Sequence, residues 1–237
     1  MSSFISGGPK GPMIPPSAYR KIRERGESVD QIAKLHNAVT VGAATIAIFR
    51  GNIVDANVGI IVNPTNCDFI LIPQGVTKAL IETEGPTLPL FAQQGGKLPF
   101  GEAKIVRVSH LHAEYVMHLA IEQNPFEPGE SYVGLTDENK ADILRTCILS
   151  TLAKAEEACA GLKKKSIAFP PLRTPIIDLP MKEVARIMLE VMVENTRKTN
   201  LEKLHIVLEN DASYYAFNRE INRAQARVSN AGLLPSK

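Results

Sequence analysis

The chain has 237 residues, 44% apolar and 22% charged, values of an ordinary globular protein that exclude wholesale disorder. Its 27 basic and 25 acidic residues leave a net charge of +2, which gives no basis for strong non-specific nucleic-acid binding. Only 5% of residues are aromatic and none is Trp, which argues against a stacking platform for single strands.

Residues 1–18 are rich in Gly, Pro and Ser. They offer too little apolar surface to offset chain entropy, which predicts a mobile tail or an arm. Residues 19–36 read as a short charged helix with a partial apolar stripe, weakened by Gly26. The N-terminus lacks the apolar core of a signal peptide, and no apolar run approaches the ~18 residues of a membrane helix. Cys67, Cys147 and Cys159 fit no zinc spacing and no CxxC motif, so reduced thiols are expected. The expectation is a soluble, intracellular protein, cytoplasmic or nuclear, without a membrane partner.

From residue 45 the pattern sharpens. Residues 45–49 (TIAIF) and 58–62 (VGIIV) are β-branched runs flanked by turn residues and read as buried strands. Residues 76–84 read as a helix stopped by Gly85-Pro86. Residues 85–101, with more Gly and Pro, read as a loop. Residues 104–109 and 115–120 are two further strands, paired as a hairpin or in parallel. The longest helical pattern covers 137–160, with Gly161 at its end. Then follow strand 166–169, helix 181–195, strand 203–208 and helix 212–226. Helices alternating with near-continuous apolar strands imply an α/β sheet covered on both faces.

In such sheets ligands bind beyond the carboxyl ends of the strands. The loops in question are Gly51-Asn52, the stretch from Asn63 to Val76, the stretch from Pro170 to Pro180, and Glu209-Asn210-Asp211. Weaker candidates lie elsewhere. His110 and His112 alternate near a strand end but lack a third ligand, so no metal is expected. Lys163-Lys164-Lys165 follows a helix, where it complements the macrodipole. No GxSxG, P-loop or GxGxxG is present.

The ordered stretches Ile48-Phe49-Arg50-Gly51-Asn52-Ile53, Ile60-Ile61-Val62-Asn63-Pro64-Thr65-Asn66, Gly75-Val76, Gly101-Glu102-Ala103, Val116-Met117-His118 and Ser166-Ile167-Ala168-Phe169-Pro170 resemble the macro domain family over roughly residues 40–225. The resemblance implies a three-layer α/β/α fold with a mixed, mostly parallel sheet. Residues 1–38 would then form an arm and short helix, 39–227 the domain, and 228–237 a tail. It also implies a cleft for ADP-ribose or a related nucleotide, free or carried by an ADP-ribosylated protein, with no cofactor; nucleic acid is not favoured as a partner.

Residue by residue, the resemblance places Asn52 where the family has an Asp that meets the adenine amino group, with Ile53 beside it. Asn66 matches an Asn that contacts the distal ribose. Asn63 matches the other Asn of this strand end, where binding and turn capping are both open. Gly75 and Val76 remain of the first phosphate loop, while Pro73 brings no N–H. Thr77 stands where hydrolysing members often carry an acid, and it cannot serve as a carboxylate base. Arg173, Thr174 and Ile176 belong to the second phosphate loop, in which Pro175 replaces a glycine. Arg173 either grips phosphate or points to water, and Asp178 either repels a diphosphate or caps the next helix. Tyr214 and Phe217 read as core. These features leave three functions open: binding, hydrolysis of ADP-ribosyl linkages or ADP-ribose 1″-phosphate, and a protein or RNA interaction scaffold.

Overall fold

The structure is a computed structural model that describes residues 37–94, 96–122 and 134–230. The predicted helix at 19–36 and most of the predicted tail lie outside the described residues. Seven strands form one sheet: β1 (Ala38–Val41), β2 (Ala44–Arg50), β3 (Ile60–Asn66), β4 (Ala103–Arg107), β5 (Tyr115–Glu122), β6 (Ser166–Phe169) and β7 (Lys203–Leu208). Their order is β1-β2-β7-β6-β3-β5-β4. The neighbours from β2 through β5 are all parallel. β1 on β2 and β4 on β5 are the antiparallel pairs at the two edges.

The helices are α1 (Gly75–Glu84), α2 (Thr87–Gln93), α3 (Asp137–Cys159), α4 (Met181–Asn195) and α5 (Asp211–Asn230). One core joins α3, α4 and α5 to one sheet face through Leu144, Ile148, Met188, Phe217 and their neighbours. The other joins α1, α2 and a 3-10 turn at Ile53–Asp55 to the opposite face through Phe69, Leu80 and Leu88. This is a three-layer α/β/α architecture with a mixed, mostly parallel sheet. It follows from strands that are apolar on both sides: Ile60, Ile61 and Val62 are all fully buried, and consecutive residues face opposite layers.

Local chemistry sets the ends of the elements. Thr136 and Asn139 form a reciprocal capping box at the start of α3, worth about 1 kcal/mol. Glu156 on α3 accepts from Thr199 Oγ1 at 2.6 Å and Asn200 N at 3.0 Å, which ties the helix to the approach to β7. Gly59, just before β3, sits where an added Cβ would lie 2.1 Å from the Lys164 carbonyl oxygen. Only glycine lets the two chain segments meet there.

Several expectations are corrected. The span 85–101 contains α2, because Leu88 and Ala92 bury against the second core and offset the Pro and Gly content. The strand predicted at 58–62 starts at Ile60 and runs through Asn-Pro-Thr to Asn66. Pro64 is accommodated within it, with Leu119 of β5 as its register partner. β1 is absent from the expected strands: it is a short edge strand buried only at alternate residues, whereas the equally short β6 is buried throughout. β4 and β5 pair antiparallel, as the hairpin alternative requires. The last helix, expected over 212–226, runs from Asp211 to Asn230, and its Val228 is buried.

Candidate functional site

The carboxyl ends of β2, β3, β5, β6 and β7 share one edge of the sheet, and a cleft of about 440 Å³ lies across it. Four inter-strand steps separate β2 from β5, or about 19 Å at the usual strand spacing. The cleft is therefore long, with ends of different character. At the β2/β7 end it is walled by Ile53, Val207, Glu209, Asn210 and Ser213. At the β3/β5 end it is walled by Thr65, Asn66 and Glu122. Between them stand the first turn of α1 (Gly75, Val76, Thr77) and the loop with Pro170, Pro171, Arg173, Thr174 and Pro175.

Gly75 opens α1 with φ +52°, and an added Cβ there would meet nothing within 4 Å. The N-cap, Gln74, makes no side-chain capping bond. The first turn of α1 lines the cleft, and among the described residues its first N–H groups meet no side-chain acceptor, the arrangement that suits an anion.

Asn66 is buried and belongs to the cleft wall. Its Oδ1 accepts from Asp68 N at 3.2 Å and Ile70 N at 3.1 Å, and its Nδ2 donates to Ile70 O at 2.7 Å. The side chain thus holds the loop that delivers α1, and one N–H remains available. The same bonds support Phe69 at φ +54° with its ring fully buried.

Asn63 lies behind the cleft wall, in mid-strand and fully buried. Its Oδ1 accepts from Thr77 Oγ1 at 3.0 Å, and its Nδ2 lies 3.1 Å from His118 Nδ1. An amide that accepts on oxygen must donate on nitrogen, so His118 Nδ1 is the acceptor and its proton sits on Nε2. Burial, with a smaller contribution from Lys104, pushes the His118 pKa down to about 3, so the ring stays neutral. Ile176 also sits behind the surface. It is buried in the core on the α3–α5 face and is absent from the cleft lining.

Asn52 is exposed and caps the 3-10 turn by accepting from Val54 N at 3.2 Å. Ile53 beside it lines the cleft. Arg173 donates through Nε to Leu179 O at 2.9 Å and through Nη2 to the Asp178 carboxylate. Asp178 therefore neither caps α4 nor faces the cleft alone; it braces Arg173 across the loop. Thr174 Oγ1 accepts from Ile177 N at 3.2 Å and donates to Ile121 O at 3.5 Å. Tyr214 packs half-buried against the core and Phe217 is fully buried. His110 lies in the β4–β5 connection and bonds to Glu84 O through Nδ1 at 3.1 Å. Among the described residues no group of three His, Cys, Asp or Glu is placed to hold a metal. No helix among them is long and apolar enough to cross a membrane.

Sequence reasoning missed Glu122. It ends β5, where the run from Val116 to Ile121 is buried and the next side chain is a carboxylate in the cleft wall. Burial raises its pKa above the usual carboxylate value. The available signal was a charge terminating an apolar strand at its carboxyl end.

The model of the macro domain family matches residues 62–188. A macro domain-containing protein of Streptomyces griseus is 30% identical over 178 residues, covering 73% of this chain and 92% of that protein. One from Caldanaerobacter subterraneus subsp. tengcongensis is 29% identical over 178 residues, covering 73% and 94%. Among solved structures, the Oceanobacillus iheyensis macrodomain with ADP superposes with a TM-score of 0.67 at 21% identity, over 80% of this chain and 96% of that one. The Trypanosoma brucei macrodomain in complex with ADP-ribose gives 0.61 at 19% identity, over 88% and 96%. The family match spans more than half of the chain and the neighbours share its layered fold: this chain belongs to the macro domain family.

Proposed function

We propose that the cleft binds ADP-ribose or a closely related nucleoside diphosphate derivative, free or attached to a protein. The observation that carries this reading is the N-terminus of α1, which opens on the cleft with no side-chain cap. Backbone N–H groups and the positive helix end suit a diphosphate at that point. The apolar pair Ile53 and Val207 suits a base at one end, and the polar wall suits a sugar at the other. The cavity falls within the ~300–1,000 Å³ of small-molecule sites. Related macrodomain structures hold ADP or ADP-ribose, in line with this assignment.

Binding is favoured over hydrolysis because Thr77 brings no carboxylate to the first turn of α1, and its hydroxyl proton is committed to Asn63. Calorimetric titration of the full chain with ADP-ribose should give a saturating single-site isotherm. Absence of both heat and a thermal shift at millimolar ADP-ribose would overturn the assignment.

A further inference from the structure

The β3/β5 end of the cleft, with Thr77 and Thr174 beside it, offers more acceptors than donors; its side-chain donors among the described residues are the Thr65 hydroxyl and one Asn66 N–H. Thr174 Oγ1 already donates and accepts within the protein. Thr77 has committed its only proton to Asn63, so toward the cleft its oxygen can only accept. Asn66 Oδ1 has both lone pairs engaged, and its amide retains one N–H. Glu122 adds a carboxylate with about four acceptor positions. Among the described residues no donor meets that carboxylate. Arg173, a cation of the same cleft, is held by Asp178 and the Leu179 carbonyl on the neighbouring loop. The backbone of Glu122 is placed by its strand: it pairs with Asn66 after a register shift that skips Ile121.

We infer that Glu122 is a specificity-determining residue, which makes this end of the cleft a receptor for an unphosphorylated diol and disfavours a ligand with an additional phosphate there. This rests on the nucleotide-binding reading and specifies the ligand class within it. A vicinal diol supplies two O–H donors to an acceptor-rich wall and leaves the Asn66 N–H and the Thr65 hydroxyl an oxygen to meet. A phosphate supplies no donor when fully ionised and brings like charge against a half-buried carboxylate. Such juxtaposition is costly where solvent screening is weak. The raised pKa of Glu122 has the same origin, a carboxylate partly withdrawn from water.

The test is calorimetric titration of the full chain at mildly alkaline pH with ADP-ribose and with ADP-ribose 1″-phosphate, the same ligand with one phosphate added on its sugar. Wild type should prefer ADP-ribose by about tenfold or more, about 1.4 kcal/mol. Glu122→Gln, which removes the charge and keeps the shape, should reduce that preference to about threefold or less. Glu122→Asp, which keeps the charge, should retain most of it. Equal affinities in wild type, or an undiminished preference in Glu122→Gln, would overturn the role of Glu122 while leaving nucleotide binding intact. Failure of wild type to bind either ligand would overturn both. Should the Gln variant fold poorly, equal affinities in wild type would still overturn the role of Glu122.

Discussion

Gly75 occupies a left-handed backbone position at the mouth of α1, in open space. A Cβ there strains the chain without striking a neighbour, so the cost is conformational, about 1–2 kcal/mol. Gly75→Ala should therefore lower unfolding stability in urea by that amount. It should also weaken ADP-ribose binding, because relief of the strain turns the N–H away from the cleft. Retained affinity alongside the stability loss would show that the Gly75 N–H takes no part in binding. Asn63, Asn66 and Ile176 carry a further lesson at this scale. All three are residues a ligand motif points to, and all three serve the protein's own interior. Asn66 shows why the two roles merge: the hydrogen bonds that fix the loop also decide which atoms remain for a ligand.

Helix α1 is held at both ends by its neighbours. Its N-terminus hangs on the loop tied by Asn66. Its last residue, Glu84, is buried and binds the β4–β5 connection: its carboxylate accepts from Ser109 N at 2.7 Å, His110 N at 2.8 Å and Leu111 N at 3.2 Å. Burial alone would raise the Glu84 pKa, but these donors overcome it and the net shift is downward from 4.5. A depressed carboxyl contributes stability above its unfolded value, and that contribution is lost as pH falls through the folded value. Glu84→Gln should thus cost about 1–3 kcal/mol at neutral pH. The difference from wild type should shrink as pH drops below the ordinary carboxylate value, which urea denaturation across acid pH will read. A gap independent of pH would refute the charge-assisted bonds as its cause.

At the scale of the whole molecule, the cleft is assembled from five strand ends and has no wall of its own. The sheet must be in register for it to exist, so ligand binding should report on global folding. Ligand held at a hundredfold over Kd stabilises by about 2.7 kcal/mol. For a domain of this size that corresponds to a rise in Tm of about 5–10 °C. A thermal shift series with ADP-ribose checks this, and saturation without a shift would mean that the unfolded chain binds equally well.

The chain by itself determined the strand and helix alternation, the two-sided burial of the sheet and the location of the cleft-lining loops at the strand ends. Those follow from local periodicity: β-branched runs, helical spacing in α3, α4 and α5, and turn residues between them. It misjudged residues 85–101, because α2 owes its helix to burial against a core formed elsewhere in the chain. Tertiary structure alone decided the chemistry of the cleft. Whether an Asn, Thr or Arg side chain faces a ligand depends on which hydrogen bonds the fold has already claimed. The partners of Asn63, Thr77 and Arg173 became visible only once the strands and loops were placed. Glu122 shows the converse. Its sequence shows only a charge ending an apolar strand, and it enters the cleft wall because β5 ends beside β3 at the carboxyl edge of the sheet, partly dehydrated and without a donor to its carboxylate among the described residues.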